Sequence, residues 1–187
     1  MVTQDNYLKN VFPSPPLIAY KRQQNIKDKI IRAKVANKTR ETRNLIGMKK
    51  CNKCVACFYI KEGETISTKN GIWKINKRVD CSTKNVIYLL ECEKNNCEEK
   101  YVGETERNFR ERVKEHIGYA RNGKLNQPSG HHFNLPGHKL HHMKFTILEK
   151  VNSNDPLYRK EREKYMIEQF DTFRSGLNKK SKRNQFI

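Results

Sequence analysis

The segment NVIYLLE at residues 85–91 is apolar and β-branched enough to form a buried strand. The segment KYVG at 100–103 can pair beside it, with ECEKNNCEE as the connecting loop. Only 35% of the 187 residues are hydrophobic and 32% are charged, so the apolar residues must be concentrated in part of the chain. We therefore expect one domain of ordinary size, built around this β-hairpin and accompanied by extended tails.

Two helices and a third strand are predicted after the hairpin. Thr105 is a candidate N-cap and Gly123 a stop for a helix whose apolar residues recur at helical spacing: Phe109, Val113, Ile117 and Ala120. Residues 121–143 are predicted to form a loop, and KFTILEKV at 144–151 a strand. Asp155 caps a second helix that ends before Gly176, with an apolar side formed by Leu157, Ile167, Phe170 and Phe173.

The charge balance favours a polyanionic partner. Lys and Arg number 39 against 20 Asp and Glu, a net charge of +19, which a nucleic acid rewards through the release of counterions. Solvated surface lysines and an acidic membrane surface are the alternatives, although no segment is apolar and long enough to span a bilayer. Residues 1–50 alone carry +9 and predict a basic arm, partly helical over 21–46 or disordered, and KKSKRNQ predicts a basic tail.

The cysteines are expected to be metal ligands. The first twenty residues lack the order of a secretory signal, so an intracellular, reducing compartment is the expected location and disulfides are disfavoured. Two sets have zinc-like composition: Cys92, Cys97, His132 and His138, and Cys51, Cys54, Cys57 and Cys81. His131 competes with His132 for the first set. The alternative reading is reduced loop cysteines with solvent histidines for the first set and a cluster of unliganded thiols for the second. His141 and His142 are expected on the surface.

A third group of residues suits phosphodiester hydrolysis. That reaction needs a base or hydrogen-bonding group for water, a cation on the phosphate oxygens and a carboxylate for a divalent metal. Tyr88 and Tyr101 lie on neighbouring predicted strands, and Arg112 and His116 lie four residues apart on one helix face. Glu163 lies on the last helix. A phenol can act as the base only if its pKa is lowered.

Each of these residues also has a plain structural reading. The tyrosines can be packed aromatics with hydrogen-bonded hydroxyls, and Arg112 can be a solvated helix residue. Arg110 competes with Arg112 for the phosphate. On the last helix, Glu161 and Glu168 compete with Glu163 for the metal.

Five ordered motifs together resemble the GIY-YIG nuclease domain: VIY at 86–88, YVG at 101–103, ETERNFRERVKEH, REREKYMI and GLN at 176–178. The resemblance implies an α+β fold, a small three-stranded antiparallel sheet flanked by helices, here with zinc-binding insertions. It also implies hydrolysis of DNA strands with one divalent metal, Mg²⁺ or Mn²⁺. Val86 stands where the name motif has its first glycine.

The resemblance also implies a role for each site residue. It assigns activation of water to Tyr88, support and phosphate positioning to Tyr101, polarisation of the phosphate to Arg112 and metal binding to Glu163. His116 and Asn178 match supporting polar positions.

Beyond the family, Cys92, Cys97 and the segment HFNLPGH at 132–138 resemble the endonuclease at the C-terminal end of Penelope-like retroelements. This resemblance implies nicking of a nuclear DNA target so that reverse transcription can be primed there, with the element's RNA as a further candidate partner. The expected organisation is a basic arm at 1–50, a Cys-rich segment at 51–84, the nuclease domain at 85–180 and a basic tail at 181–187. The alternatives are a non-catalytic zinc-containing nucleic-acid-binding module and, less favoured, a cysteine-rich scaffold.

Overall fold

A computed structural model describes residues 46–178, together with the single residues 10 and 26. Contacts divide the chain into a unit at 1–44 and a unit at 45–187, and the fold described below belongs to the second unit. The predicted N-terminal arm, its helix over 21–46 and the basic tail lie outside the described residues, except for residues 10, 26 and 46–50, and the last of these stretches contains a strand instead of a helix. The domain boundaries remain predictions.

The elements follow one another along the chain as short strands, then the central hairpin, then alternating helix and strand. The strands are β1 Gly47–Lys49, β2 Thr65–Thr68, β3 Gly71–Lys74, β4 Arg78–Asp80, β5 Val86–Cys92, β6 Lys100–Thr105 and β7 Met143–Lys150. The helices are α1 Phe109–Arg121, α2 Pro128–His132 and α3 Pro156–Gln169. Two 3-10 helices span Val55–Tyr59 and Leu140–His142.

The central sheet has the order β6-β5-β7, and both pairings are antiparallel. The predicted α+β class with a three-stranded antiparallel sheet is confirmed. Tyr88 pairs with Gly103, and Leu90 pairs with Tyr101. A register shift between Ile87 and Tyr88 interrupts the pairing of β5 with β7. This register puts the VIY and YVG motifs side by side.

Strand β5 is buried on both faces, which explains why its sequence is a continuous apolar run instead of an alternating one. Tyr88 and Leu90 face the core that contains Phe109 and Val113 of α1. On the other face, the core around α3 contains Ile87, Leu89, Val102, Met166 and Phe170. The sheet is thus a layer between α1 and α3.

Two small sheets precede this layer. Strands β1 and β4 pair in parallel, and β2 and β3 form an antiparallel hairpin. Trp73 of this hairpin donates from its indole nitrogen to the Leu148 carbonyl oxygen of β7, at 3.0 Å. The strand character predicted for GIWKINKRV is therefore confirmed.

Three details of the predicted elements were wrong. The N-cap of α1 is Asn108, because Thr105 still belongs to β6 and its hydroxyl accepts from the Arg107 backbone N–H. The expected loop at 121–143 contains helix α2, which begins at a proline in its first turn. Helix α3 ends at Gln169, and Arg159 and Met166 are its buried residues. Of the predicted apolar side, Phe170 is buried, whereas Leu157 is 70% and Phe173 46% exposed.

Candidate active site

Tyr88 lies at the centre of the site and is fully buried. Its register partner Gly103 has no side chain, and the phenol occupies the space. A Cβ at Gly103 would lie 2.5 Å from the Tyr88 hydroxyl oxygen and 2.8 Å from the ring of Tyr101. The glycine of YVG is therefore required by close packing against both tyrosines, with no positive φ involved.

A chain of hydrogen bonds passes through the Tyr88 hydroxyl. Arg112 Nε donates to this oxygen at 2.9 Å. The hydroxyl oxygen lies 2.8 Å from His116 Nε2, and His116 Nδ1 lies 2.9 Å from the Ser129 hydroxyl oxygen. Arg112 can only donate, and His116 Nε2 is the other described partner of the Tyr88 hydroxyl, so we assign the phenol proton to the bond with Nε2 and the ring proton of His116 to Nδ1, facing Ser129.

His116 is neutral in this arrangement. Its burial, and then the charge of Arg112, lower its pKa to about 3. A neutral imidazole with Nε2 as acceptor matches the direction of the hydrogen bonds. The spacing of Arg112 and His116 predicted one shared helix face, and the structure places both on Tyr88.

Arg112 is held from its other side by a carboxylate. Glu115 accepts from Arg112 at 2.8 Å and also binds Arg107. The Arg112 side chain keeps 23% of its surface exposed, so it can reach a phosphate while its Nε stays on Tyr88. Among residues 46–178, the guanidinium of the competitor Arg110 has no hydrogen bond to Tyr88, and the Arg110 backbone N–H donates to the Cys81 carbonyl oxygen at 2.8 Å.

Glu163 and Tyr101 lie at the partly exposed side of the site. Burial, and then the charge of Glu104, raise the pKa of Glu163 to about 7. Burial, and then the charge of Glu163, raise the pKa of Tyr101. Glu161 and Glu168, the competing carboxylates of α3, are exposed to solvent.

The pKa of Tyr88 is also raised well above its ordinary value, chiefly by burial. The lowered phenol pKa that a tyrosine base requires is therefore not supplied by the surrounding residues. Both phenols are protonated at neutral pH in this environment and act as hydrogen-bonding groups.

Asn178 lies behind the tyrosine motif and holds its backbone. Its Oδ1 accepts from the Val102 N–H at 2.8 Å, and its Nδ2 donates to the Val102 carbonyl oxygen at 2.7 Å. Both the oxygen and the nitrogen of the Asn178 amide are therefore hydrogen-bonded to β6, the strand that contains Tyr101 and Gly103. Asn178 thus fixes the backbone of β6 between the two residues of the YVG motif that pack at the site.

A second network, which sequence reasoning missed, borders the site. Arg159 of α3 is 4% exposed and binds Glu104 and Glu106. Together with Arg112 these residues line an open cleft of about 580 Å³. The position of Glu104, directly after the YVG motif, was the signal that could have identified it.

The four cysteines Cys51, Cys54, Cys57 and Cys81 converge although Cys81 lies 24 residues after Cys57. The contacts between their Sγ atoms measure 3.3 to 3.6 Å. A tetrahedral zinc with bonds of about 2.3 Å requires sulfurs roughly 3.8 Å apart, so this donor set fits zinc. The Cys81 carbonyl accepts from the start of α1, which links this cluster to the helix that carries Arg112.

Cys92, Cys97, His132 and His138 form a second group, with ligand atoms within 4.8 Å of one another. His138 Nε2 is buried and has no hydrogen-bond partner in the described part of the chain, as expected for an atom that coordinates a metal. His132 Nε2 lies 3.5 Å from Cys97 Sγ, whereas His131 is exposed. The structure thus selects His132 over His131.

The comparisons with known proteins agree with this geometry. A family model described as the GIY-YIG catalytic domain matches residues 84–179, just over half of the chain. The chain belongs to the GIY-YIG family. No curated protein and no solved structure matched it.

Members of the GIY-YIG family are nucleases that depend on a metal, typically Mg²⁺, so the substrate class is nucleic acid. Within this GIY-YIG domain, Val86 in place of the first glycine is a fully buried residue at the start of β5. Among residues 46–178, no helix has the length and apolarity needed to cross a bilayer.

Proposed function

We propose that this GIY-YIG protein is a metal-dependent DNA endonuclease whose site consists of Tyr88, Tyr101, Arg112, His116, Glu163 and Asn178. The observation that carries the proposal is the convergence of Arg112 and His116 on the Tyr88 hydroxyl, at 2.9 and 2.8 Å, beside the Glu163 carboxyl. These residues come from β5, α1 and α3. Packing alone does not require an arginine and a histidine to share one buried phenol.

Each group has a task that its geometry permits. Glu163 is the residue that would hold Mg²⁺ or Mn²⁺, since its partly exposed carboxyl is crowded by the Glu104 charge and a cation relieves that repulsion. The ion would supply stabilisation of the negative charge that develops on the phosphate oxygens. Arg112, fixed by Tyr88 and Glu115, orients the scissile phosphate with its partly exposed guanidinium group.

The two phenols differ in access to substrate. The Tyr88 oxygen is enclosed by Gly103, Arg112 and His116, so water reaches it only if a hydrogen bond is exchanged. Tyr101 is only partly buried and lies beside the Glu163 charge. We propose that Tyr101 contacts the attacking water or the phosphate, and that Tyr88 acts on the reaction through Arg112 and His116.

The wider role is nicking of a chromosomal target strand so that a retroelement can prime its reverse transcription there. The net charge of +19 and the Cys/His insertions, which resemble those of Penelope-like elements, support this role. A nuclear location and contact with the element's RNA follow from the same proposal. Both Cys and Cys/His groups are proposed structural zinc sites that hold the fold around the nuclease site.

A plasmid-nicking assay tests the endonuclease. The protein is compared with Tyr88→Phe, Tyr101→Phe and Glu163→Ala, with Mg²⁺ present or omitted, because a chelator would also remove zinc. Glu161→Ala is the matched control, since this carboxylate lies exposed on the same helix. With Mg²⁺, we expect the parent and Glu161→Ala to convert supercoiled plasmid to the relaxed circular form, and without Mg²⁺ neither should do so. The other three variants should nick far less plasmid even with Mg²⁺.

Equal nicking by the parent and Glu163→Ala would refute the site assignment. Tight binding of plasmid without any nicking by the parent would favour a non-catalytic nucleic-acid-binding module instead.

A further inference from the structure

The 3-10 helix Val55–Tyr59, which overlaps the Cys51–Cys57 segment, carries an exposed apolar ridge. Val55 is 56% and Phe58 78% exposed, and both lie on the 3-10 helix Val55–Tyr59. Side chains three residues apart on a 3-10 helix are eclipsed, so these two point the same way. Ala56 of the same helix is fully buried. The inward face is packed and the outward face is apolar and open.

The backbone beneath this ridge is well anchored. Ile60 forms a bridge to Phe145 of β7, and the Phe58 carbonyl accepts from Lys144 Nζ at 3.2 Å. Cys54 precedes Val55 and Cys57 follows it, and both cysteines belong to the four-cysteine group. Phe58 is therefore presented on a fixed platform, which reduces the entropy lost when something binds to it.

The surroundings of the ridge are basic. Lys49 and Lys50 precede Cys51, Lys53 lies two residues before Val55, and Lys144 contacts the Phe58 backbone. Within residues 46–178, none of these four ammonium groups forms an ion pair. Three carboxylates also lie in this region: Glu62 accepts from the Lys50 backbone N–H at 2.9 Å, and Asp80 and Glu91 are the register partners of Lys49 and Lys144. A second copy of a chain with net charge +19 would add repulsion here, whereas a polyanion is attracted.

We propose that this ridge is a binding site for single-stranded nucleic acid, in which an unpaired base stacks on Phe58 against Val55 and the neighbouring lysines hold the flanking phosphates. A flat apolar ring beside cations is the arrangement that binds bases without reading sequence. In a duplex the base faces are covered by their neighbours, so the site discriminates against intact duplex. The proposal concerns binding and does not depend on cleavage by the nuclease site.

The test measures binding by the full chain in magnesium-free buffer without chelator, so that cleavage does not contribute and zinc is retained. The probes are a fluorescein-labelled oligothymidylate and a duplex of the same length. Phe58→Ala is expected to weaken oligothymidylate binding by about fivefold to 150-fold, the effect of losing one stacked base. Duplex affinity should change little.

Ile72→Ala is the matched control, because Ile72 is 70% exposed on the β2–β3 hairpin and should leave both affinities unchanged. Phe58→Trp should retain binding and give an emission change on addition of oligothymidylate that the parent, whose single tryptophan is Trp73, does not give. Lys53→Ala should reduce the slope of the logarithm of the binding constant against the logarithm of the salt concentration, by an amount that corresponds to about one released counterion.

The proposal is overturned if Phe58→Ala binds oligothymidylate as the parent does, or if it weakens duplex binding by the same factor. It is also overturned if sedimentation shows that the parent is a dimer and Phe58→Ala a monomer, since the ridge would then be covered by a second copy. Unchanged zinc content in every variant establishes that the platform is intact.

Discussion

Replacement of Gly103 by alanine should disable the nuclease site with little damage to the fold. The new Cβ would lie 2.5 Å from the Tyr88 hydroxyl oxygen, whereas ordinary contacts begin at 3.4 Å. The backbone beside it is held by the two hydrogen bonds between Asn178 and Val102, so the tyrosines have to move by close to 1 Å. A misplacement of about this size costs roughly 10²-fold in rate.

Overpacking of this kind also costs about 1–3 kcal/mol of stability, which a thermal unfolding curve measures. We therefore expect Gly103→Ala to remain folded at 25 °C and to nick plasmid about 100-fold more slowly than the parent, without loss of duplex binding.

The same chain supplies the control for this substitution. Gly118 lies in helix α1, and a methyl group added to its Cα would meet no heavy atom of another element within 4 Å, so Gly118→Ala introduces no clash. Alanine in a helix interior is more favourable than glycine by about 0.5–1 kcal/mol. Gly118→Ala should unfold at a slightly higher temperature and nick at the parental rate. Parental nicking by Gly103→Ala would refute the argument that close packing of the two phenols sets the catalytic geometry.

Three further outcomes are expected. Cys81→Ser should bind one zinc fewer by elemental analysis. Loss of that zinc loosens the segment whose Cys81 carbonyl oxygen anchors the start of α1, so the melting temperature and the nicking rate should both fall; an unchanged zinc content contradicts this. Asn178→Ala leaves the Val102 N–H and carbonyl without partners and should cost about 1–3 kcal/mol in denaturant unfolding, where an unchanged midpoint would count against it. The pKa of His116 falls from 6.5 to about 3 on folding, so the unfolded state binds more protons below pH 6.5 and stability decreases as the pH falls. The decrease from pH 8 to pH 5 is about 2 kcal/mol, and a His116→Gln variant with the same pH dependence would refute this origin.

Part of the site could be predicted because its determinants are local. Arg112 and His116 share a helix face by their spacing, and the two tyrosine motifs lie on strands joined by a short loop. The sequence placed the carboxylate Glu163 on a helix, but only the family motif favoured it over Glu161 and Glu168. Its partial burial beside Glu104 is a tertiary fact.

Other parts could not be predicted because they join residues far apart in the chain. Ser129, which holds His116, lies on a helix where the sequence indicated a loop, and Arg159 lies on a helix side that was expected to be apolar. Neither residue has a sequence pattern that reports its partner. Their roles depend on which faces of α2 and α3 turn toward the sheet.

The sequence by itself determined the class of the fold and the chemical groups available, because apolar periodicity, turn residues and ordered motifs act over a few residues. The tertiary structure decided which histidine joins Cys97, that the Tyr88 oxygen is enclosed, and that the pKa values of both phenols rise. Those properties depend on burial and on charges brought together across the sheet. Burial and long-range contact exist only once the chain has packed.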